Sequence, residues 1–264
     1  MGPILRAEPG AEPYPEVMNS GAAAEIEAAG VDAVLAKGDL TADGRPEEFD
    51  AFLRCYGRFG DRLHAVRGNH DAYRGQDRYA GDQCIDVPGA RLLLLDTVIP
   101  EQTTGRLTAH QLAWAGSLAS DAADRPVLLL GHHQNWSEGR RDPGYFGLDP
   151  DSSDALCHAI AAHPNVLGWF AGHTHRHRVR RRSDVPGAVF VEVGCVKDFP
   201  GTWAEYRIFE GGLLQVVHRV STPRALRWSE QCRYLYRDFG VDYQSYALGS
   251  LPERCFPLPL RRTP

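Results

Sequence analysis

Four short segments of the chain close on residues that bind divalent metals: Gly38-Asp39, Gly68-Asn69-His70-Asp71, Gly131-His132-His133 and Gly172-His173-Thr174-His175. Carboxylate, amide and imidazole together suit manganese, iron or zinc, and the motifs contain no thiolate that would mark a soft-metal site. Two such ions about 3.5–4 Å apart compensate charge on a phosphoryl group and generate a nucleophile stronger than water at neutral pH. The order amide, imidazole, carboxylate in Asn69-His70-Asp71 offers a ligand, a proton carrier and a partner that orients the imidazole. His173 and His175 stand two residues apart, and on an extended segment such side chains point to the same side, so both can face one metal centre.

Each segment follows a stretch that reads as a strand. Val31–Ala36, Val127–Leu130 and Val166–Phe170 are apolar runs, and Leu63–Arg67 precedes the second segment. Strand, glycine and ligand recur four times, and in open α/β sheets functional groups gather beyond the carboxyl ends of the strands. Helices are predicted between them. One covers Val17–Ala29 with Ala22, Ala23, Ile26 and Ala29 buried, and another starts at Pro46 with Phe49, Phe52 and Leu53 facing inward. Thr108–Leu118, carrying Leu112 and Trp114, and Asp154–Ala162 are further helices, and Arg91–Thr97 is a strand. This alternation requires a parallel sheet with helical crossovers. Beyond His175, the extended segments Ala188–Val193, Trp203–Phe209 and Leu213–Val220, with a turn at Glu210-Gly211-Gly212, predict antiparallel pairing.

At these residues the chain resembles the calcineurin-like metallophosphoesterases, and among them the bacterial cyclic-nucleotide phosphodiesterases. The resemblance runs from about Ala33 to His175 and more loosely through Val220. It implies an α/β fold, a four-layer α/β/β/α sandwich of two mixed sheets over residues 1–220. Residues 221–264, rich in tyrosine and proline and carrying Trp228, read as a C-terminal extension packed on the same domain, a structural brace rather than a substrate lid. It also implies two divalent ions (Mn, Fe or Zn). Asp39 would bridge them, Asn69, His132 and His173 would complete the second ion's ligands, and His175 would serve the first. His132 is preferred to His133 because the family's ligand directly ends its strand, though the neighbour stays open. His70 would act just outside the ligands as acid or electrostatic stabiliser, with Asp71 holding its ring. The implied reaction is hydrolysis of a phosphodiester or phosphomonoester, cyclic nucleotides included, by in-line attack of a metal-bound hydroxide.

One family motif has no counterpart. The family carries Asp-x-His on a strand upstream of Gly-Asp, whereas no histidine here precedes His64 and Asp32 is the only aspartate before Asp39. The fold is therefore expected to lack its usual first strand and to expose unpaired backbone beside the site. The first metal position keeps only Asp39 and His175, which implies one tightly held ion in this chain. Two readings follow: an enzyme whose sequence as given starts downstream of that strand, or a binding protein of the same fold with an incomplete first site. A carboxylate among Glu8, Glu12 and Glu16 folding back is the alternative source of a ligand.

Composition sets the outer limits. With 264 residues, 43% of them hydrophobic, the chain can bury the core of one large α/β domain. A net charge of -5 and a pI near 6.1 argue against nucleic-acid binding, so a small phosphoester is the expected partner, while oligomeric state stays open. Neither a membrane span nor a signal peptide is visible, and a cytoplasmic location is expected. The six cysteines form no C-x-x-C pair and are expected to be reduced core fillers. Arg176, Arg178, Arg180, Arg181 and Arg182 read as a solvated strand face, and His177 as a surface residue. His110, His158, His163 and His218 are expected to have no metal role.

Overall fold

The computed structural model describes residues 14–136 and 146–260. One strand shows how its layers arise. β4 (Ala90–Leu95) turns Leu93 and Leu95 to one face and Leu92 and Leu94 to the other, as a period of two demands. It belongs to a six-stranded sheet with β3 (Gln83–Val87), β5 (Val127–Gly131), β6 (Val166–Ala171), β7 (Arg178–Arg182) and β8 (Val185–Glu192), in the order β3-β4-β5-β6-β8-β7. The four inner strands run parallel and the two edge strands antiparallel. Leu93, Leu129 and Trp169 pack under α3 (Ala109–Asp121) and α4 (Pro150–Ala162), which present Ala115, Ala119, Leu156 and Ile160.

The other face of this sheet, with Leu92, Leu94, Leu128, Leu130 and Phe170, meets Val66, Leu213, Phe256 and Leu258, with Leu35, Tyr206 and Ile208 packed against them, from five facing strands. β1 (Val34–Lys37) and β2 (Leu63–Val66) pair in parallel, while β9 (Thr202–Phe209), β10 (Gly212–Arg219) and β11 (Phe256–Pro259) form an antiparallel group. The fourth layer is α1 (Tyr14–Ala29), α2 (Pro46–Tyr56) and α5 (Pro223–Gln231), where Met18, Phe52 and Trp228 join Val34, Ala65 and Trp203. The expected α/β/β/α order is present. The second sheet comes in two pieces, since no ladder joins β1-β2 to β9-β10-β11 among the described residues.

Local signals account for the helix starts. Thr108 caps α3 by accepting from Gln111 N, and the Gln111 side chain returns the bond. Asp149 caps α4 from Ser152 N with Pro150 in the first turn, so this helix begins four residues before the predicted Asp154. Two side-chain orientations differ from expectation: Leu53 is 37% exposed and Ala29 is exposed, because Met18 and Gly21 take the buried face of α1. The stretch after residue 220 enters the same layers. Trp228 stacks on Tyr14 with ring centroids 4.2 Å apart, and β11 pairs with β10. α6 (Tyr243–Leu248) and α7 (Leu251–Arg254) lie between them, and Tyr246 Oη donates to Thr174 O at 2.9 Å. No helix among the described residues is long and apolar enough to cross a membrane.

Candidate metal centre

β1, β2, β5 and β6 end at Lys37, Val66, Gly131 and Ala171, so each ligand segment begins at or just after a strand end. Two glycines let these ends touch. At Gly38, where φ is +91°, a Cβ would stand 2.6 Å from both Gly68 N and His132 Nδ1, and at Gly68 it would stand 2.3 Å from Asp39 Oδ1. Only glycine permits that approach. Asp39, His173 and His175 themselves hold left-handed φ values of 53°, 63° and 56°. Non-glycine residues are costly there, and such strain collects at functional sites.

Donor atoms converge on His132 Nε2. It lies 3.2 Å from Asp39 Oδ1, 3.2 Å from Asn69 Oδ1 and 3.0 Å from His173 Nδ1. Its other nitrogen, Nδ1, is 2.8 Å from Lys37 O, which fixes the proton of the neutral ring on Nδ1 and leaves Nε2 with a lone pair for a ligand. Burial alone opposes ionisation of Asp39, yet His132, His70 and His173 hold its carboxyl well below the usual range. Burial likewise opposes charging His132, but Asp39 outweighs it and raises the imidazole. Burial and then His132 push His173 down to about 3, and the same causes carry His133 well below its ordinary value. His133 and His173 are thus held neutral, the form in which an imidazole binds a metal. His133 joins the group, with one potential ligand atom each from His132, His133 and His173 all within 4.8 Å. Its Nδ1 is held by Thr97 Oγ1 at 2.7 Å, while Nε2 of His133 and of His173 are buried with no hydrogen bond among the described residues. Buried lone pairs without partners beside an ionised carboxylate fit a divalent cation.

The remaining predicted residues sit otherwise. His70 is half-buried at the rim, with Nδ1 2.7 Å from Ala42 O, and its amide reaches Asp39 Oδ1 at 3.2 Å. Asp71 does not hold the His70 ring. Its fully buried carboxylate accepts from Leu40 N, Thr41 N, Thr41 Oγ1 and Gly68 N, tying the loop after β1 to the loop after β2. His175 belongs to a second group with Cys195 and Asp198, its Nδ1 3.6 Å from Asp198 Oδ2. Glu16 pairs with Arg54 at 2.9 Å on the helical layer and does not fold over the site, while Glu8 and Glu12 lie outside the described residues. Of the arginine run, Arg181 is exposed as expected of a solvated face, but Arg176, Arg180 and Arg182 turn inward. Arg176 and Arg180 flank buried Glu192, and Arg180 and Arg182 donate to Trp136 O, so β7 holds the loop that follows His133. Phe146, half-exposed, rests on the His173 ring with centroids 4.9 Å apart, a wall no motif announced.

His177 is buried rather than at the surface, with Nε2 2.9 Å from Thr202 Oγ1 and Gly194 N donating to Nδ1. Burial and then Arg254 lower it from 6.5 to about 4. Between those values the unfolded chain binds a proton that the folded chain refuses. Stability is therefore full above the unfolded value and is lost as pH falls toward 4, by about 2 kcal/mol at pH 5 from this residue. His177→Gln is expected to lower the urea midpoint at pH 7.5 and to flatten its decline between pH 7 and 5. A decline as steep as that of the parent chain would contradict this.

The calcineurin-like phosphoesterase family model matches residues 14–177, more than half of the chain. The chain belongs to that family. It is 28% identical over 188 residues to a glycerophosphodiester phosphodiesterase of Enterobacter lignolyticus, covering 63% of this chain and 66% of that protein. It is 30% identical over 158 residues to a probable cyclic nucleotide phosphodiesterase of Synechococcus sp., covering 57% and 60%. A 3',5'-cyclic adenosine monophosphate phosphodiesterase of Pseudomonas aeruginosa is 29% identical over 179 residues, covering 65% and 64%. The chain thus spans less than two thirds of the length of each of these relatives. Among solved structures, a dimetal phosphatase from Danio rerio superposes with a TM-score of 0.62 at 17% identity, covering 78% of this chain and 86% of that one. A purple acid phosphatase from yellow lupin seeds gives 0.61 at 15% identity, covering 78% and 47%. These two likenesses concern the fold.

Proposed function

We propose that the chain is a metal-dependent phosphoesterase acting on small phosphodiesters, with cyclic nucleotides among the candidate substrates. The observation that carries this reading is the convergence of Asp39, Asn69 and His173 on His132 Nε2. In this proposal those four groups hold a divalent ion of manganese, iron or zinc, with His133 as the adjacent imidazole. When bound, such an ion supplies positive charge for the non-bridging oxygens and acidifies water. His70 stands outside the ligand group. With Nδ1 fixed on Ala42 O, its Nε2 is the atom that gives or takes a proton at the leaving oxygen. Asp71 acts by holding the two ligand loops in register, and Phe146 offers an aromatic face to the organic part of an ester. The names of the similar proteins, two of them acting on cyclic nucleotides and one on glycerophosphodiesters, support the diester class.

Asn69→Ala and His173→Ala are each expected to lower metal content by elemental analysis, and the parent chain is expected to hydrolyse bis(p-nitrophenyl) phosphate with added manganese. Unchanged stoichiometry in both variants removes the assignment. Strong monoester hydrolysis without diester hydrolysis makes the protein a phosphatase. A retained ion with neither activity makes it a binding protein of the same fold.

A further inference from the structure

Cys195 and Asp198 take no part in the reaction just described, yet they meet His175 in a cluster of two half-buried residues and one buried one. Asp198 is fully buried, and the thiol of Cys195 lies 2.8 Å from its Oδ1. His175 Nδ1 lies 3.6 Å from the other oxygen, Oδ2, and one ligand atom from each of the three residues falls within 4.8 Å of the others. Topology brings them together. β6 and β8 are parallel neighbours paired up to Ala171 and Glu192, so the loops that follow emerge side by side, one carrying His175 and the other Cys195-Val196-Lys197-Asp198. We propose that His175, Cys195 and Asp198 form a second metal site, suited to zinc or another thiolate-accepting divalent ion.

Imidazole, thiolate and carboxylate are all established zinc ligands, and three protein ligands leave a fourth tetrahedral position for water or a substrate oxygen. Two of the three come from one turn, a spacing that lets a single loop present both. The carboxylate is oriented from behind: Tyr243 Oη donates to Oδ1 at 2.9 Å and Lys197 Nζ stands 3.0 Å from Oδ2. Such partners of a ligand fix its direction and tune the ion. Lys197 also competes with a cation for Oδ2, and burial and Asp198 hold Cys195 as a thiol, so an ion must displace the thiol proton in order to bind. Binding replaces the thiol hydrogen by the metal and releases that proton to solvent, and with a divalent ion the cluster becomes more positive by one unit charge. His175 is two residues from His173, which places this positive charge close to the first ion's ligands.

The inference deepens the proposed function and rests on it only for the claim that the two ions serve one reaction. The site itself has a signature the first cluster cannot produce, because no sulfur belongs to that cluster. The full chain, stripped with a chelator and reloaded with cobalt(II), is expected to show thiolate-to-cobalt charge-transfer absorption in the near ultraviolet. Cys195→Ser is expected to lose that band and about one ion per chain, while Asn69→Ala keeps the band and loses the other ion. No band in the parent chain, or a band that persists in Cys195→Ser and therefore arises from another cysteine, overturns the proposal. Because the band is read without activity, its absence leaves the first cluster's assignment intact. Conversely, a band with unchanged metal content in Asn69→Ala and His173→Ala would leave the second site standing and remove the first.

Discussion

Asp39→Asn is expected to lower hydrolysis of bis(p-nitrophenyl) phosphate by about a thousandfold or more. The substitution keeps the shape of the side chain and removes the carboxylate that stands 3.2 Å from His132 Nε2. It also removes the charge that outweighs burial at His132, so that imidazole loses its tendency to be protonated, and the remaining cluster is one of neutral groups. Neutral ligands alone hold a hard ion such as manganese weakly, and manganese content should fall together with activity. The fold should survive, because Asp39 Oδ1 accepts from His70 N and an amide oxygen can do the same. Activity within tenfold of the parent, with metal retained, would show that the carboxylate is not a ligand.

Gly38→Ala is expected to be the most destabilising single change at the site. The backbone there has a φ of +91°, and the added methyl carbon would stand 2.6 Å from the backbone nitrogen of Gly68 and from His132 Nδ1. Positive φ and overpacking each cost about 1–3 kcal/mol, and here they coincide against backbone that cannot swing aside as a side chain can. A loss of about 3 kcal/mol or more is expected in urea unfolding, with metal binding reduced because the loop after β1 is pushed from the loop after β2. The control is Gly57→Ala, where a Cβ meets nothing within 4 Å, and it should cost little. Equal midpoints for the two variants would contradict the close approach.

The strand ends and the glycines beside them were legible in the sequence because a strand-like run and a glycine breaker coincide at each of the four motifs. The same local signals could not separate His132 from His133. Both are buried polar residues at the same strand end, and what distinguishes them is that His132 Nδ1 meets Lys37 O across the sheets, whereas His133 Nδ1 meets Thr97 Oγ1. The second cluster was illegible for a related reason. Cys195-x-x-Asp198 resembles no metal motif, and it reaches His175 only because β8 pairs beside β6. The arginines after His175 look solvent-facing by charge, but β7 lies against β8, whose last residue, Glu192, buries a carboxylate that calls Arg176 and Arg180 inward. Asp71 was placed beside the His70 ring by adjacency in sequence. The fold instead turns it to the amides of Leu40, Thr41 and Gly68, where one buried carboxylate satisfies three backbone donors at once.

The central claim is that the four groups around His132 hold an ion that makes the chain a phosphodiesterase. It is tested most directly by titrating the chelator-treated chain with manganese while following bis(p-nitrophenyl) phosphate hydrolysis, with Asp39→Asn in parallel. The expected result is no turnover without metal, a saturable rise in the parent chain, and no rise in the variant. Hydrolysis that is indifferent to manganese, or an equal rise in both proteins, would contradict it.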